Sequence, residues 1–265
     1  MDQMSTAPRG HALGPVRVRV TVAGSGDAFG SGGRLQTCLH VQPVDRAAAV
    51  LLDCGASALT GLKRCGLEPN DVTVVAISHL HGDHFGGLPY LLLDGQFRHR
   101  RRPLHLVGPP GLGQRLEQAM EVLFPDSTQI ARRFATHVHE PGPGATLTVE
   151  EATVTAVVVD HAAGAPALAL RLGVAGRVIA YSGDTAWTDA LVGVADGADL
   201  FVCEAYTATR SIRYHLDLPT LRANLHRLRC ARLLLTHPGP DLLAHRAELG
   251  PDLDLADDGT VVELA

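Results

Sequence analysis

The sequence predicts one α/β domain with a large mixed-sheet core, and three observations carry that expectation. Apolar runs of strand length recur along most of the chain, segments of helical period lie between them, and no low-complexity linker divides them. At 265 residues and 46% hydrophobic composition, the chain can bury a substantial core.

The elements follow in order. From Val16, "VRVRVTVAG" alternates apolar and polar residues, which predicts a strand with one face on a core. It runs into the glycine-rich "GSGDAFGSGG", Gly24 to Gly33, which completes neither G-x-G-x-x-G nor a P-loop and reads as a flexible loop near a site. Strands are expected at "LQTCLHV" and "AVLLDCG", and a helix from Ser57 to Cys65. "DVTVVAISHLHGDH" begins as a continuous apolar run, the pattern of a strand buried on both faces, and delivers its histidines at the C-terminal end. Open α/β sheets tend to bind ligands at such ends. "PLHLVGP" reads as another strand, and "GLGQRLEQAMEVLF" as a helix with Leu112, Leu116, Ala119, Met120 and Leu123 on one face. "ATLTVEEATVTAVVVDH" gives one or two strands, "ALALRLGVAGRVIAYSGD" a hairpin-like pair and "ADLFVCEAY" a strand. "LPTLRANLHRLRC" predicts a helix and "ARLLLTH" a final strand.

Composition narrows the functional classes. A net charge of −5 gives no global positive field to draw nucleic acid or an anionic membrane. The one basic run, "RHRRRP" from Arg98 to Pro103, reads as a solvated loop. Cysteines at 38, 54, 65, 203 and 230 form no C-x-x-C pair, so neither a disulfide framework nor a zinc ribbon is suggested and a reducing cytoplasm is expected. Residues 1–15 read as a short disordered leader without an apolar signal core, and 16–265 as the folded domain; no run is long enough to span a membrane.

"HLHGDH" places His79, His81, Asp83 and His84 in one turn, before Gly86 and Gly87. Neither a helix face nor a strand would converge groups at that spacing, but a turn can, and imidazole and carboxylate suit zinc and other borderline metals. Later apolar strands end in ligand types too: His161 after "VTAVVVD", Asp184 in "SGD" and His237 in "LLLTH". Five histidines and two aspartates are too many for one tetrahedral ion and suit two. The natural partition gives His79, His81 and His161 to one ion and Asp83, His84 and His237 to the other, with Asp184 bridging. Two such ions sharing a water would depress its pKa and leave a hydroxide poised for attack. Zinc is the default, with manganese or iron as alternatives. The remaining histidines, among them His11, His40, His99, His105, His226 and His245, lack companions. "THVHE", with His137 and His139, has metal-like spacing on an expected strand but no evident further ligand.

The ordered set "HLHGDH", His161, "SGDT" and "LLLTH" resembles the metallo-β-lactamase superfamily over roughly residues 16 to 240. The resemblance implies an αβ/βα four-layer sandwich, two mixed sheets flanked by helices, and a dinuclear metal-dependent hydrolase. It also implies that Asp53 in "LLDCG" orients the histidine loop from behind the ligands. Within the superfamily the chain looks most like the branch holding ribonuclease Z, cyclic-nucleotide phosphodiesterases and arylsulfatases. That branch implies a pair formed by Glu204 in "CEAY" and His215 in "YHLDLPT", with His215 protonating the leaving oxygen and Glu204 fixing its tautomer. Homodimers are common in it, so a homodimer is implied. The chain departs from the transfer-RNA-processing members: "ASAL" follows "DCG" where they have "EGTQ", "HLDLPT" stands for "HST", and only positions 162 to 183 separate His161 from Asp184, too few for an RNA-clamping arm. These departures point to small phosphodiesters, with nucleic acid disfavoured as a partner. Lactones, thioesters or sulfate esters are the alternative substrates, and a ribonuclease Z-like endonuclease is a more distant one.

Overall fold

The computed structural model describes residues 17–265; the expected leader lies outside the described residues. Strands β1 (Val18–Gly24), β2 (Cys38–Pro43), β3 (Ala49–Leu52), β4 (Val72–Ala76), β5 (Leu104–Val107) and β6 (Thr136–His139) form one seven-stranded sheet with β14 (Val261–Leu264), in the order β14-β1-β2-β3-β4-β5-β6. The second seven-stranded sheet is built from β7 (Thr146–Val149), β8 (Ala152–Val158), β9 (Leu168–Val174), β10 (Arg177–Tyr181), β11 (Leu200–Glu204), β12 (Leu233–Thr236) and β13 (Asp254–Leu255), ordered β13-β12-β11-β10-β9-β8-β7. Both are mixed. Pairing is antiparallel from β14 through β3 and from β7 through β10, and parallel across β3 to β6 and β10 to β13.

The apolar runs are continuous because each sheet is buried on both faces. Val50, Leu52, Val74 and Ala76 of the first sheet meet Leu170, Leu172, Ile179, Tyr181, Leu200 and Val202 of the second in a shared inner core. The alternate residues point outward. Leu51, Val75 and Leu106 pack under helices α1 (Ala58–Arg64), α3 (Leu88–Phe97) and α4 (Leu112–Leu123), beside the short α2 (Gly82–Phe85). Ala180, Phe201, Cys203 and Leu235 pack under α5 (Ala190–Ala195), α6 (Leu218–Asn224) and α7 (Pro240–Ala244). The result is helix, sheet, sheet, helix.

Several expectations need correction. "ARLLLTH" forms β12 but is not the last strand: β13 and β14 follow, and β14 carries the chain's C-terminal segment back to pair with β1 of the opposite sheet. The helix expected over 218 to 230 stops at Asn224 and tightens into a 3₁₀ turn, Leu225–Arg227. Helix α3 gave no periodic signal because Leu88, Leu91 and Leu92 are buried on more than one side and Leu93 adds to them, leaving no single apolar stripe. The basic run is not wholly solvated. Arg100 is 3% exposed, and its guanidinium donates to the carbonyls of Pro69, Val72, Arg102 and Pro103 while lying over the Phe134 ring. All five cysteines are free thiols. Among the described residues no helix is long and apolar enough to cross a membrane.

Candidate metal centre

The candidate ligands converge because their strands end at one rim of the sandwich. His79 and His81 leave β4, His161 leaves β8, Asp184 leaves β10 and His237 leaves β12. Backbone bonds tie these exits across the two sheets: Leu168 N–H donates to Ser78 O at 3.0 Å, and His237 N–H to Ser25 O at 3.0 Å. Helix α2, which follows His81, is one turn long and turns Asp83 and His84 inward. Two glycines permit this closeness. A Cβ on Gly87 would lie 2.2 Å from the Gly55 carbonyl oxygen, and Gly183, at φ +59°, would carry one 2.7 Å from the Leu168 oxygen.

Asp53 stands behind the loop, fully buried, with a left-handed φ of 60°. Its carboxylate accepts from Ser78 N at 2.7 Å, Ser78 Oγ at 2.7 Å, Tyr181 Oη at 2.8 Å and His84 Nδ1 at 2.6 Å. The last bond fixes the His84 tautomer and leaves Nε2 facing Asp83 Oδ2 at 3.2 Å and Asp184 Oδ1 at 3.3 Å. His237 Nε2 lies 3.3 Å from Asp83 Oδ2 and 3.4 Å from Asp184 Oδ2, so Asp184 reaches both histidines with different oxygens. On the other side His81 Nδ1 sits 3.2 Å from both His79 Nε2 and His161 Nε2, and His161 Nδ1 donates to the Tyr214 carbonyl at 2.9 Å.

Ligand atoms of His79, His81 and His161 form one cluster within 4.8 Å, and those of Asp83, His84, Asp184 and His237 form another. A third grouping, Asp184, Glu204, His215 and His237, overlaps the second. Cations fit this donor set. Asp53, Asp83, Asp184 and Glu204 are all buried, and among the described residues none pairs with a lysine or arginine. His84 Nε2, Asp184 Oδ1 and His237 Nδ1 are buried without a hydrogen-bond partner. Such groups are expensive unless paired or coordinated.

The electrostatics agree. Burial pulls His237 down, yet Asp184, Asp83 and Glu204 outweigh it and push it up to about 9. Burial likewise opposes the charged form of Asp83, but hydrogen bonds from His237 and His84 hold its carboxyl far below the usual range. His79, which is buried and has His84 beside it, is driven well below the ordinary imidazole value and so remains a lone-pair donor. The carboxylates thus demand positive charge that protonated imidazoles supply and that a divalent ion could replace.

His215 Nδ1 and Glu204 Oε1 are 2.5 Å apart, and Glu204 Oε2 accepts from Thr185 N at 2.6 Å. Burial raises the Glu204 carboxyl while His215 lowers it; burial lowers His215 while Glu204 raises it. The His215 ring stacks parallel to that of His237 at 6.0 Å and packs on Tyr206 at 4.7 Å. His215 and members of both clusters, His81 and His161 of the first and Asp83, Asp184 and His237 of the second, line one cavity of about 210 Å³ with the Asp27–Phe29 loop and Tyr206. A larger cleft of about 470 Å³ between α1, β1 and β14 lies away from these ligands. All the expected residues therefore meet at one rim, including Asp53, Glu204 and His215. No pattern in the sequence marks Tyr181, which reads as a core residue yet holds Asp53, or Ser78. The glycine-rich loop is ordered: Asp27 accepts from Ser31 N at 2.9 Å and from Ser31 Oγ at 2.6 Å.

A family model described as "Anti-Pycsar protein Apyc1" matches residues 18–255. Ribonuclease Z of Anoxybacillus flavithermus is 27% identical over 270 aligned positions, covering 81% of this chain and 84% of that protein. Ribonuclease Z of Methanothermobacter thermautotrophicus is 26% identical over 304 positions, covering 93% and 97%. Among solved structures, the short form of human tRNase Z superposes with a TM-score of 0.75 at 25% identity over 92% of this chain and 98% of its own. A diphosphatase of the PhnP family gives 0.75 at 21% identity, covering 94% and 97%. The metallo-β-lactamase fold protein YhfI from Bacillus subtilis gives 0.72 at 19%, covering 94% and 100%. These last two speak to the fold alone.

Proposed function

The chain belongs to the Anti-Pycsar protein Apyc1 family and is a metal-dependent hydrolase of the metallo-β-lactamase superfamily, and from that membership we propose that it cleaves small phosphodiesters at the His/Asp rim. His79, His81 and His161 would hold one divalent ion and Asp83, His84 and His237 the second, with Asp184, which groups with the second set, shared between the two. Such ions, when bound, supply an activated water at neutral pH and neutralise charge on the phosphoryl oxygens.

The chain's own groups do the rest. Asp53 locks His84 in the tautomer that offers Nε2 to the site, and the Tyr214 carbonyl does the same for His161. Glu204 fixes the proton of His215 on Nδ1 and stabilises the cationic ring, so that His215 can give a proton from Nε2 to the departing alkoxide. This pair against the wall of the ligand cavity is the observation that carries the reading: a diester releases a poor oxyanion, which a positioned acid makes a better leaving group. The preference for small substrates rests on the cavity of about 210 Å³ and on the short β9–β10 hairpin, which turns at Ala175 and Gly176 with no protruding arm.

The test is the initial rate on bis(p-nitrophenyl) phosphate for metal-loaded protein and for Asp83→Ala, with bound metal counted in the same samples. Turnover that vanishes in the variant together with part of the metal supports the reading. A fully loaded wild type without turnover shifts it to lactones, thioesters or sulfate esters. The ribonuclease Z relatives favour a second reading, RNA cleavage, which a precursor-tRNA substrate tests with the same pair of proteins.

A further inference from the structure

We infer that a cleft beside His215, walled by Trp187, Ile212 and Tyr214, seats the leaving group, and that it selects esters whose departing alcohol carries a planar aromatic ring. The inference rests on the reading of His215 as the acid for the departing oxygen. His215 borders two cavities: the ligand cavity of about 210 Å³ and, with Trp187, Ile212, Arg213 and Tyr214, a cleft of about 480 Å³. Among the described residues no other lines both. The first is smaller than the roughly 300–1,000 Å³ usual for a small-molecule site, and the second lies within that range. An ester centred on the ligands must therefore extend one of its groups beyond them, and the group whose oxygen takes a proton from His215 is the one that meets the cleft.

The walls come from segments that already serve the rim. After Asp184, Thr185 N–H donates to Glu204 at 2.6 Å and Ala186 N–H to the Asp160 carbonyl at 3.0 Å, so the next residue, Trp187, leaves a fixed backbone. Its ring is half-buried, and the Arg227 guanidinium lies 5.7 Å from its centroid, held there by Asp189 at 2.9 Å. An indole fixed in this way offers a large stacking surface with little side-chain freedom left to lose on binding.

Tyr214 carries the clearer sign. His215 N–H donates to the Ile212 carbonyl at 3.1 Å and closes a four-residue turn with Tyr214 at its third position, at a left-handed φ of 69°. Glycine or asparagine is usual there, and a bulky residue held in that conformation is strained. The backbone use of the turn is the carbonyl that accepts from His161 Nδ1, which glycine or asparagine would supply as well. Only the ring calls for tyrosine. It lies beneath the Arg213 guanidinium, 4.5 Å from its centroid, and both residues line the cleft.

Two diesters with one leaving group test this: bis(p-nitrophenyl) phosphate and methyl p-nitrophenyl phosphate, which differ only in the group that stays on phosphorus. In metal-loaded protein, Trp187→Leu and Tyr214→Asn, an exchange that the left-handed backbone tolerates, should each raise KM roughly 10-fold for both diesters, with kcat and bound metal near wild type. A rise confined to the bis ester would place the retained group in the cleft, and an unchanged KM for both would leave the cleft out of binding; either overturns the inference. Phenol, a leaving group without its phosphate, separates this inference from the diester reading. Trp187 is the chain's single tryptophan, and its emission should shift saturably with phenol in wild type and need roughly 10-fold more phenol in Tyr214→Asn. A wild type that turns over neither diester removes the diester reading; a saturable phenol shift weakened in Tyr214→Asn then keeps the aromatic site, and the lack of one overturns that too.

Discussion

At the scale of single residues, the rim separates groups that would hold an ion from a group that would move a proton. His215 is bonded to Glu204 and is not among the ligands assigned to either ion. His215→Ala should therefore lower turnover roughly 100- to 10,000-fold, the range for loss of a positioned acid, while leaving bound metal at the wild-type count. Loss of metal in that variant would instead make His215 a ligand, which its place in the third cluster makes a pointed alternative. His40, away from the rim, carries a different expectation. It is buried under the outer face of the first sheet, its Nδ1 has no partner, and burial lowers it to about 4. Its folded value lies below its unfolded one, so its contribution to stability is complete above the unfolded pKa and is lost as pH falls toward the folded one. Between about pH 7.5 and about pH 5, urea unfolding should show the stability of wild type relative to His40→Gln falling by about 2 kcal/mol. A pH-independent difference would mean that His40 takes up its proton in the fold as readily as in the unfolded chain.

At the scale of elements, legibility followed pattern. Strands such as β4, β11 and β12 were readable because burial on both faces leaves an unbroken apolar run, and α4 because only Leu112, Leu116 and Met120 turn inward. Helix α3, apolar on several sides, and the two-residue β13 offered no period to read. The ligands at the rim were legible from their spacing and from their positions at strand ends. Tyr181 was not, since a buried tyrosine in a strand looks the same whether or not its hydroxyl supports an aspartate. The basic run misled because charge patterning cannot reveal that one arginine of five residues turns in. Arg100 joins the 3₁₀ turn before β4, the start of β4 and the entry to β5 by their carbonyls, and burial lowers it to about 10. Arg100→Met keeps much of the side-chain volume but strands those acceptors, so it should cost about 2–4 kcal/mol in urea unfolding. Arg101→Met, exposed and without such bonds, should cost no more than about 0.5 kcal/mol. Equal losses for the two would place Arg100 among the solvated residues after all.

At the scale of the whole molecule, the rim and the core have opposite demands. The inner core and the two helix-covered layers are closed by apolar contacts that involve none of the candidate ligands. The rim instead gathers four buried carboxylates from both sheets, with imidazoles as their only charged neighbours among the described residues. Binding of cations to the folded state alone adds stability by mass action, about 4 kcal/mol for a ligand at 1,000 times its dissociation constant. For a chain of this size each kcal/mol moves Tm by roughly 2–4 °C. Stripping the ions with a chelator should therefore lower Tm by about 8–16 °C while leaving the far-UV circular dichroism unchanged, because the sheets do not depend on the rim. Zinc or manganese added back should restore the higher transition in wild type but only part of it in Asp184→Ala, which loses a carboxylate from the buried cluster with Asp83, His84 and His237. A Tm indifferent to chelator, in protein shown to have lost its metal, would mean that the carboxylates are already neutralised by protonated His84 and His237, and that the ions contribute to chemistry without contributing to the fold.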